Sequence, residues 1–556
     1  MKVNQDYSNL FVFDIEAFKW NEVYAIGIYD GHKVNSYVSS KSVSYTNDDF
    51  IAWLLDNIPH GAVVYAHAGG RYDFLFILDY IKAAAKTKIT QLSVIHGSLA
   101  MLRIKHKNKV IEFRDSYKIL PASLASLTLS FDVAHKKLKM DYELGFNDPR
   151  FKDYFDNDLM GLYEVLRASG LTEKLTTASN AMNIYRKAYS KSEMGRNADK
   201  TDAFFRESYY GGRTEIFRMI GHELNYYDVN SLYPYVMKEN SYPLPLKSNF
   251  SFERRLRDDR LGIYRCRVKA PDSYIPLLPL HHERKLIFPI GSWIGTYTSA
   301  ELIKAHDLGY GIDVLSGYSF AESAPIFSEY VDTFYKIKRE SQGSKKAVAK
   351  LLLNSLYGKF GQSRERTSYS VTERVDTSAE LVGNMAFLKK RTYDGFSPFL
   401  HSEIASFVTS YARLHLYELM RKTGLDSIYY CDTDSIITDR LAPVSDELGA
   451  LKDEGSIDKF VALAPKLYAY SQKDKVVIKA KGMKLGSLSL DDFEAAFYSG
   501  DYSKFTSKFE RLSTFTESLR NVSSYTALKT ISRGLRNSYS KRIVNGSETA
   551  PLNIRI

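Results

Sequence analysis

The sequence predicts a multidomain fold of the mixed α/β (α+β) class. With 556 residues the chain is long enough for about three or four domains, and 44% of its residues are hydrophobic, so a large core is expected. Short β-prone apolar runs alternate with longer stretches whose apolar residues recur at helical spacing. This alternation indicates two-layer units in which helices pack on sheets.

The composition narrows the class of protein. The chain carries 76 Lys and Arg against 65 Asp and Glu, a formal net charge of +11 that suits a polyanionic partner. Its cysteines, Cys266 and Cys431, lie far apart, which argues against a disulfide scaffold or a cysteine zinc site and fits a reducing compartment. The N-terminus lacks the apolar segment of a signal peptide, and no run approaches a membrane span. We therefore expect a cytoplasmic protein with no membrane partner.

Acids follow the first predicted strands. In LFVFDIEAF, residues 10–13 predict a buried strand, and Asp14 and Glu16 share one of its faces because side chains alternate along a strand. Further on, AVVYAHAGGRYDFLFIL predicts a strand at 62–66, a Gly-Gly loop and a helix. Asp73 lies near the start of that helix, where a carboxylate is favoured.

A further acid comes from the segment YFDNDLMGLYEVLRASG, which predicts an amphipathic helix that stops near Gly170. Tyr154 and Asp158 are four residues apart and therefore neighbours on one face. Taken singly, these acids are typical of helix caps or solvated charges. Together, the four acids could hold two metal ions about 4 Å apart, as in nucleases, and Tyr154 could orient the attacking water.

The second half of the chain repeats this pattern of apolar strand and acid. NYYDVNSLYPYVM places Asp228 at the end of a strand that is followed by a tight turn and a helix. In KKAVAKLLLNSLYGKFG, helical spacing puts Lys346, Lys350, Asn354 and Tyr357 on one face. Such a stripe is usually a solvated face, but beside a metal site it could hold a triphosphate and stack on a base.

The segment YYCDTDSIITD carries Asp432 and Asp434 inside an apolar, β-prone run. Residues two apart on a strand share a face, so these carboxylates repel each other unless a cation lies between them. Hard oxygen ligands of this kind suit Mg²⁺. The alternative is an Asp-rich hairpin turn. Because Asp228 also ends a strand, the sequence favours one metal cluster formed by all three aspartates.

In three motifs the chain resembles a family B DNA polymerase. DVNSLYP (228–234) matches the family's Dx₂SLYP, KLLLNSLYGK (350–359) matches Kx₃NSxYG, and YCDTDS (430–435) matches YxDTDS. DIE at 14–16, the segment around Asp73 and YxxxD at 154–158 resemble the three motifs of the family's 3′–5′ exonuclease. The resemblance covers nearly the whole chain.

Within that family the chain is most similar to the protein-primed subgroup, the polymerases of small linear phage and plasmid genomes. SYYGGR (208–213) fits the subgroup's YxGG motif, and KLY (466–468) fits its KxY motif. About 110 residues separate the DVNSLYP segment from the KLLLNSLYGK helix, which is room for an insertion that contacts a priming protein. The stretch at about 362–390 fits a second insertion, a hairpin that encircles DNA.

The resemblance implies an RNase H-like exonuclease domain followed by a right-hand polymerase. The expected division is an exonuclease domain (1–180), the first part of the palm (181–240), the first insertion (241–325), the fingers (326–361), the second insertion (362–390), the second part of the palm (391–498) and the thumb (499–556). The last 56 residues hold ten Lys and Arg against four Asp and Glu, which suits a thumb lying on duplex phosphate or, alternatively, a solvated tail.

Roles for individual residues follow from the same resemblance. At the polymerase site, two Mg²⁺ ions, which Mn²⁺ could replace, would be ligated by Asp228, Val229 and Asp434, and Asp432 would support them. At the exonuclease site the metal ligands would be Asp14, Glu16 and Asp158. Asp73 and Tyr154 would be further catalytic residues there. Tyr233 would exclude a 2′-hydroxyl. The expected nucleotide contacts are Lys338, Lys346, Lys350, Asn354 and Tyr357. The expected DNA contacts are Tyr209, Gly211, Gly212, Thr409, Arg413, Lys466 and Tyr468, with Ser116, His67 and Phe76 on single-stranded DNA.

One position departs from the family pattern. The middle exonuclease motif normally reads Asn-x₂₋₃-(Phe/Tyr)-Asp, whereas HAGGRYD has Ala68 where the asparagine is expected. We therefore expect an exonuclease that is metal-competent but slow. For the family's lysine contact at this site, Lys139 is our choice.

The function expected from the resemblance is replication of a linear phage or plasmid genome in the host cytoplasm by a monomeric DNA-directed DNA polymerase. It would be primed by a terminal protein, displace the non-template strand and proofread. The expected partners are primer-template DNA, dNTPs, the terminal protein and a single-stranded-DNA-binding protein. The alternatives are a family B polymerase that uses only nucleic-acid primers and a non-catalytic DNA-binding protein that has kept the fold.

Overall fold

The computed structural model describes residues 7–40, 45–84, 86–191, 193–195, 197–246, 249–363, 365–371, 380–381, 388–394, 399–473, 475–481, 488–518, 524–534 and 539–555. Parts of the expected second insertion (364, 372–379 and 382–387) and of the expected thumb (519–523, 535–538 and 556) lie outside the described residues. In the described part of the chain, no helix is long and apolar enough to cross a membrane.

The N-terminal region is a mixed sheet with helices on both faces. Its elements are β1 (Leu10–Phe18), β2 (Glu22–Tyr29), β3 (Val34–Val38), α1 (Asn47–Asn57), β4 (Val63–Ala66), α2 (Asp73–Ala83), β5 (Thr87–Ile95), β6 (Ser98–His106), β7 (Lys109–Asp115), α3 (Leu124–Ser130) and α4 (Phe151–Ser169).

Strand β1 is central in this sheet and decides where its acids point. It pairs antiparallel with β2 and parallel with β4. Phe13 and Ile15 pack in the cluster that contains α1 and α2, whereas Val12 packs in the cluster that contains α4. Since Asp14 and Glu16 alternate with the former pair, they face α4.

The middle of the chain begins with helices and then contributes strands to two larger sheets and two two-stranded ones. Its elements are α5 (Thr177–Ala188), α6 (Asp199–Arg206), β8 (Thr214–Ile216), β9 (Ile220–Val229), α7 (Leu232–Glu239), β10 (Tyr242–Pro243), β11 (Phe250–Glu253), β12 (Gly262–Ala270), β13 (Leu280–His282), β14 (Lys285–Ile287), β15 (Ile290–Thr298), α8 (Ser299–Asp307), β16 (Gly311–Phe320), β17 (Ser323–Ala324), α9 (Ser328–Glu340), α10 (Gly343–Ser355) and α11 (Tyr357–Phe360).

The remaining elements complete these sheets and add a hairpin. They are β18 (Glu365–Val371), β19 (Glu380–Leu381), β20 (Leu388–Asp394), α12 (Ser402–Thr423), β21 (Ile428–Asp432), β22 (Ser435–Thr438), β23 (Leu451–Ala464), β24 (Leu467–Gln472), β25 (Lys475–Ala480), α13 (Leu490–Ser499), β26 (Thr506–Leu512), α14 (Phe515–Ser518), β27 (Leu528–Gly534), β28 (Arg542–Asn545), β29 (Glu548–Pro551) and β30 (Asn553–Arg555).

Three sheets organise these elements. The ten-stranded sheet has the order β19-β20-β18-β5-β6-β7-β4-β1-β2-β3, so the strands of the expected second insertion extend the N-terminal sheet. The seven-stranded sheet runs β25-β24-β23-β9-β22-β21-β8, and the five-stranded sheet runs β11-β16-β12-β15-β30. Strand β30 leaves the expected thumb and pairs parallel with β15 of the expected first insertion. The sequence offers no local sign of this long-range pairing.

The C-terminal hairpin β26–β27 is anchored on the N-terminal region. The rings of Phe515 and Tyr525 are fully buried and belong to the apolar cluster of α1 and α2. The Asp79 carboxylate on α2 accepts hydrogen bonds from the backbone N–H groups of Tyr525 (2.7 Å) and Thr526 (2.9 Å) and from the Ser524 and Thr526 hydroxyls (2.6 and 2.7 Å). This anchor joins the C-terminal hairpin to the N-terminal region.

Replacing Asp79 by alanine should loosen this anchor. Two backbone donors would lose a charged acceptor, which costs about 1–3 kcal/mol, so amide exchange at Tyr525 and Thr526 should become roughly 10- to 100-fold faster. The control is Asp332→Ala, which removes an exposed ion pair with Lys238 and should leave these amides unchanged. Equal exchange in both variants would show that apolar packing alone holds the hairpin.

Candidate active sites

The hairpin β21–β22 places the predicted pair of aspartates beside a third. Asp228, at the end of β9, pairs with Ser435 of β22, so it lies next to Asp434 in the turn. The turn is tight: Thr433 has a left-handed φ of 64°, and its N–H donates to the Arg213 carbonyl at 2.6 Å. The N–H of Val229 donates to the Asp434 carbonyl at 2.6 Å. These bonds fix the backbone that carries the acids.

Asp228 and Asp434 share a partly buried position. Burial, and then the charge of Asp434, raises the pKa of Asp228 to about 6. Burial, and then the charge of Asp432, raises the pKa of Asp434. The described contacts give neither carboxylate an ion pair, whereas a divalent cation would relieve the repulsion. The donor set therefore fits a metal ion.

Asp432 is held differently. Lys466 Nζ donates to both of its carboxylate oxygens, at 2.6 and 2.8 Å, and the Thr214 hydroxyl donates at 2.9 Å. Asp432 therefore has partners of its own. Among the described residues the three aspartates do not form a group whose ligand atoms all lie within 4.8 Å of one another, so the single three-aspartate cluster expected from the sequence is not found. Lys466 thus contacts an acid of the site. Tyr468 is not on the surface: it is buried against Tyr430, with ring centroids 5.0 Å apart.

The expected nucleotide residues come together beside the turn. Burial, and then Lys350 and Lys346, lowers the pKa of Lys338, so the three ammonium groups lie close enough to repel. Such a cluster is suited to a polyanion. The rings of Tyr233 and Tyr357 are stacked with centroids 4.4 Å apart, and Asn354 is exposed on the same helix as Lys346 and Lys350.

Two expected DNA contacts turn out to be buried on α12. Thr409 is 2% exposed and its hydroxyl bonds to helix carbonyls of α12. Arg413 is 4% exposed and bonds to Glu301 and to backbone carbonyls of the loop 208–213. This placement differs from the expected direct contact, and the reason is that the polar face of α12 is covered by that loop and by α8.

The loop 208–213 lies against the turn between β21 and β22 (residues 432–435), the candidate catalytic turn. A Cβ on Gly212 would come within 2.8 Å of the Thr433 side chain, so the close approach requires glycine here. A Cβ on Gly211 would find open space, with its nearest neighbour, Leu286, at 3.9 Å, and Tyr209 is half-buried. A backbone free of side chains next to the turn is suited to a nucleic-acid strand.

A second acidic cluster lies between β1 and α4. Ligand atoms of Asp14, Glu16 and Asp158 come within 4.8 Å of one another, and among the described residues this is the group of three or more that could hold a metal. Burial and then Glu16 raise the pKa of Asp14 well above its usual range, and burial raises the pKa of Glu16 to about 7. Buried carboxylates in such numbers fit divalent cations.

Asp73 lies outside this group of three. It is buried at the start of α2, burial raises its pKa to about 8, and one of its oxygens has no protein partner. Its charge still acts on Asp14.

A lysine that the sequence reasoning missed completes the cluster. Lys137 donates to the Tyr154 hydroxyl at 3.0 Å and forms an ion pair with Asp158. Lys139, our choice from the sequence, is exposed. The run KKLKM contains three lysines. Only the path of the irregular segment after α3 determines which of them reaches the acidic cluster. Tyr142 adds a hydroxyl 3.2 Å from that of Tyr154.

The residues expected to hold single-stranded DNA lie behind the second cluster. The hydroxyl of Ser116, which is fully buried, bonds to the Ala66 carbonyl and to His67. The other ring nitrogen of His67 lies 2.9 Å from the Ala122 carbonyl, and burial lowers the pKa of His67 to about 4. Phe76 is 2% exposed. Ser116 and His67 thus bond to each other and to backbone carbonyls, and Phe76 packs in the apolar cluster of α1 and α2.

Ala68 occupies a left-handed backbone position, with φ 61° and ψ 19°. Alanine is strained there by about 1–2 kcal/mol, whereas asparagine and glycine adopt this conformation readily. The backbone therefore agrees with the motif expectation that an asparagine belongs at this position.

Comparisons with known proteins agree with this architecture. The family described as DNA polymerase type B, organellar and viral, matches residues 57–151 and 148–396, more than half of the chain. The DNA-directed DNA polymerase of Enterobacteria phage PRD1 is 27% identical, covering 85% of each chain. The DNA polymerase of Bacillus phage PZA is 25% identical, covering 86% of this chain and 89% of that one.

Some relatives are much longer than this chain. A probable DNA polymerase of Podospora anserina is 28% identical over 88% of this chain, and the match covers 54% of that relative. For the relatives of Neurospora intermedia and Ascobolus immersus the share is 57% and 45%. The chain therefore spans about half the length of these relatives.

A solved structure confirms the predicted fold class. The phi29 DNA polymerase complexed with primer-template DNA and incoming nucleotide substrates is 20% identical, with a TM-score of 0.73, and the match covers 95% of this chain and 99% of that chain. The same polymerase complexed with single-stranded DNA has a TM-score of 0.70.

Cation binding at the second cluster should depend on pH. A carboxyl group whose pKa is raised keeps its proton below that pKa, so a cation must displace the proton and binds less tightly as pH falls through about 7, the pKa of Glu16. In the Asp434→Asn protein, in which the first site is weakened, Mn²⁺ should bind at least about tenfold more tightly at about pH 8 than at about pH 5.5.

The control for this measurement is the Asp434→Asn protein with Asp158→Asn added. Electron paramagnetic resonance of free Mn²⁺ reports the binding in both proteins. If the second substitution leaves the tight binding and its pH dependence intact, the cluster of Asp14, Glu16 and Asp158 does not hold the ion.

Proposed function

We propose that this chain, which belongs to the organellar and viral type B DNA polymerases, is a DNA-directed DNA polymerase that extends a primer along a DNA template. The observation that carries the proposal is the pairing of β9 with β22, which sets the partly buried Asp228 next to Asp434, beside the lysine cluster of α9 and α10. The oxygen of the primer's 3′-hydroxyl would form a bond to the α-phosphorus, the hydroxyl proton would leave, and pyrophosphate would depart.

Each group at this site has a proposed task. Asp228 and Asp434, with the Val229 carbonyl, would hold two Mg²⁺ ions, and Asp432 would support them through Lys466. Bound divalent cations would neutralise the triphosphate charge and lower the pKa of the attacking hydroxyl. The triphosphate would lie along Lys338, Lys346 and Lys350. The exposed Asn354 would contact the base pair.

Tyr233 is the proposed barrier to ribonucleotides. Its ring is held against that of Tyr357 at 4.4 Å, which restricts both rings to one orientation. A rigid ring beside the sugar can exclude a 2′-hydroxyl by contact.

A second activity, 3′–5′ exonuclease proofreading, is favoured by the cluster of Asp14, Glu16 and Asp158. The domain that carries it would comprise residues 1–180. Asp73 adds a further acid, and Tyr154, held by Lys137 at 3.0 Å, is placed to orient the attacking water. Because Asp158 already has a lysine partner, its position in the cluster is defined before a cation binds.

We also propose that replication begins on a terminal protein and displaces the non-template strand. The support is architectural: four strands of the five-stranded sheet, β11, β12, β15 and β16, lie in the chain between β9 and α9 and would form an insertion that receives a protein, and β18 joins the N-terminal sheet through β5. The partners would be primer-template DNA, dNTPs, the terminal protein and a single-stranded-DNA-binding protein, in the cytoplasm of the host cell. The alternative is a polymerase that extends nucleic-acid primers only.

Replacing Asp434 by asparagine should abolish polymerisation while the protein stays folded. The change removes one negative charge from the metal position, and primer extension should fall at least about a thousandfold. The control is Asp439→Asn on the same hairpin, where the carboxylate is 3.5 Å from Arg218 and outside the site. Gel-based primer extension and binding of duplex DNA are the measurements. Extension within tenfold of the parent would overturn the metal assignment.

Protein priming has a direct biochemical signature. The chain should be incubated with a candidate terminal protein and a radiolabelled dNTP, without DNA primer. Label should become attached to that protein, resistant to nuclease and sensitive to protease. If labelled product forms only when a DNA or RNA primer is present, the alternative holds.

Ala68→Asn should increase exonuclease activity. The substitution supplies an amide next to the cluster, and one oriented contact of this kind is worth about tenfold to a thousandfold in rate. Ala68→Gly is the matched control, because it relieves the left-handed backbone without adding an amide. Degradation of a single-stranded oligonucleotide in Mg²⁺ is the measurement.

The two variants separate two causes. Equal gains in both would assign the effect to backbone strain alone. No gain in either would mean that another group, such as His67 or Arg71, already provides the contact.

A further inference from the structure

Arg413 is a buried cation near the proposed polymerase site, and its described contacts are all internal. The guanidinium Nε lies 2.9 Å from Glu301 Oε1, and its NH2 group lies 2.8 Å from the same oxygen. Its NH1 group donates to the carbonyls of Tyr210 at 2.7 Å and Gly211 at 3.0 Å. A planar fork with donors on both sides can hold a carboxylate and a backbone loop at once, which lysine cannot do.

Glu301 brings the first insertion into this contact. It lies in the first turn of α8, directly after β15 of the five-stranded sheet, and its side chain is 1% exposed. The same sheet contributes the ring of Tyr297, stacked 5.7 Å from that of Tyr210, while His281 stacks on the other side at 5.1 Å. The loop 208–213 is thus held on one side by the insertion and by α12.

The other side of the loop touches the catalytic turn. Gly212 leaves no room for a Cβ against Thr433, and the carbonyl of Arg213 accepts the Thr433 N–H at 2.6 Å. Thr433 lies between Asp432 and Asp434. A shift of the loop therefore shifts the backbone that carries the two acids.

We propose that Glu301 and Arg413 are a positioning pair, through which the first insertion sets the place of the loop 208–213 and of the catalytic turn. The pair contacts neither DNA nor nucleotide. It acts through the two glycines and Thr433, so the insertion is part of the polymerase site as well as a surface for a partner. This inference rests on the proposed polymerase function for its consequence in catalysis, whereas the placement of the loop can be measured without it.

The structure supplies a matched control for the pair. One turn before Arg413, Ser410 Oγ lies 2.6 Å from Thr298 Oγ1, so this contact joins the same two elements of the fold without touching the loop. Ser410→Ala removes this hydrogen bond between α12 and the insertion. Arg413→Lys keeps the positive charge but cannot reach Glu301 and both carbonyls together.

The experiment compares Arg413→Lys and Ser410→Ala with the parent protein. Hydrogen exchange of the peptides that cover 207–216 and 430–436 should become faster in Arg413→Lys and not in Ser410→Ala. The rate of primer extension should fall about tenfold to a hundredfold in Arg413→Lys, the scale expected for a displacement of about 1 Å, and its affinity for primer-template DNA should weaken. KM for dNTP should stay within about threefold, because the lysines of α9 and α10 do not contact the loop.

A second variant covers the case in which Arg413→Lys fails to fold. Glu301→Gln keeps an oxygen acceptor in place and should show the same pattern at smaller size. In the Arg413→Lys background it should add almost nothing, since the two residues act as one unit.

The outcomes separate the two proposals. Exchange and DNA affinity in Arg413→Lys equal to those in Ser410→Ala, or additive effects of the two variants, would overturn the positioning pair. Absence of primer extension by the parent protein would contradict the proposed function, while the exchange measurement would still decide the role of Arg413.

Discussion

The antiparallel pairing of β9 with β22 is the contact on which the candidate polymerase site depends. It joins segments that are far apart in the chain and sets Asp228 opposite Ser435, next to Asp434. Both carboxylates are partly buried: burial, and then the charge of Asp434, raises the pKa of Asp228, while burial, and then the charge of Asp432, raises the pKa of Asp434. The strand pairing thus maintains a repulsion that a cation relieves, and the bonds around Thr433 keep the acids from moving apart.

The two acidic clusters follow one electrostatic arrangement, although they lie in different sheets. In each, a lysine pairs with one acid: Lys466 with Asp432, and Lys137 with Asp158. The remaining acids, such as Asp228 and Asp14, have raised pKa values. One fixed ion pair orients the cluster, and the surplus of negative charge remains available for a cation.

The sequence predicts those features that depend on neighbours along the chain. Alternation placed Asp14 and Glu16 on one face of β1, and helical spacing placed Tyr154 beside Asp158. Lys137 could not be chosen over Lys139, because the segment that carries them has no periodic structure.

Contacts between distant segments could not be predicted from the sequence, for a different reason. The burial of Arg413 depends on α8 and on the loop 208–213, and the pairing of β30 with β15 joins the end of the chain to its middle. The anchor of Asp79 on residues 524–526 is of the same kind. Local pattern carries no information about which distant surface covers a polar face.

Buried charge is concentrated around the loop 208–213. Arg413 and Glu301 hold its start; at its end, Arg213 pairs with Glu215 at 2.6 Å and donates to the Pro276 carbonyl at 2.8 Å. Removing ions from water costs several kcal/mol each, so buried pairs of this kind add little net stability compared with apolar side chains of the same volume.

Buried pairs do provide a defined geometry, since a guanidinium group donates hydrogen bonds to its partners in few orientations. The loop contains Gly211 and Gly212, which have no side chains through which packing could fix them. Charged residues at both of its ends therefore supply the orientation that the glycines lack, in a segment that must stay bare where it meets the catalytic turn.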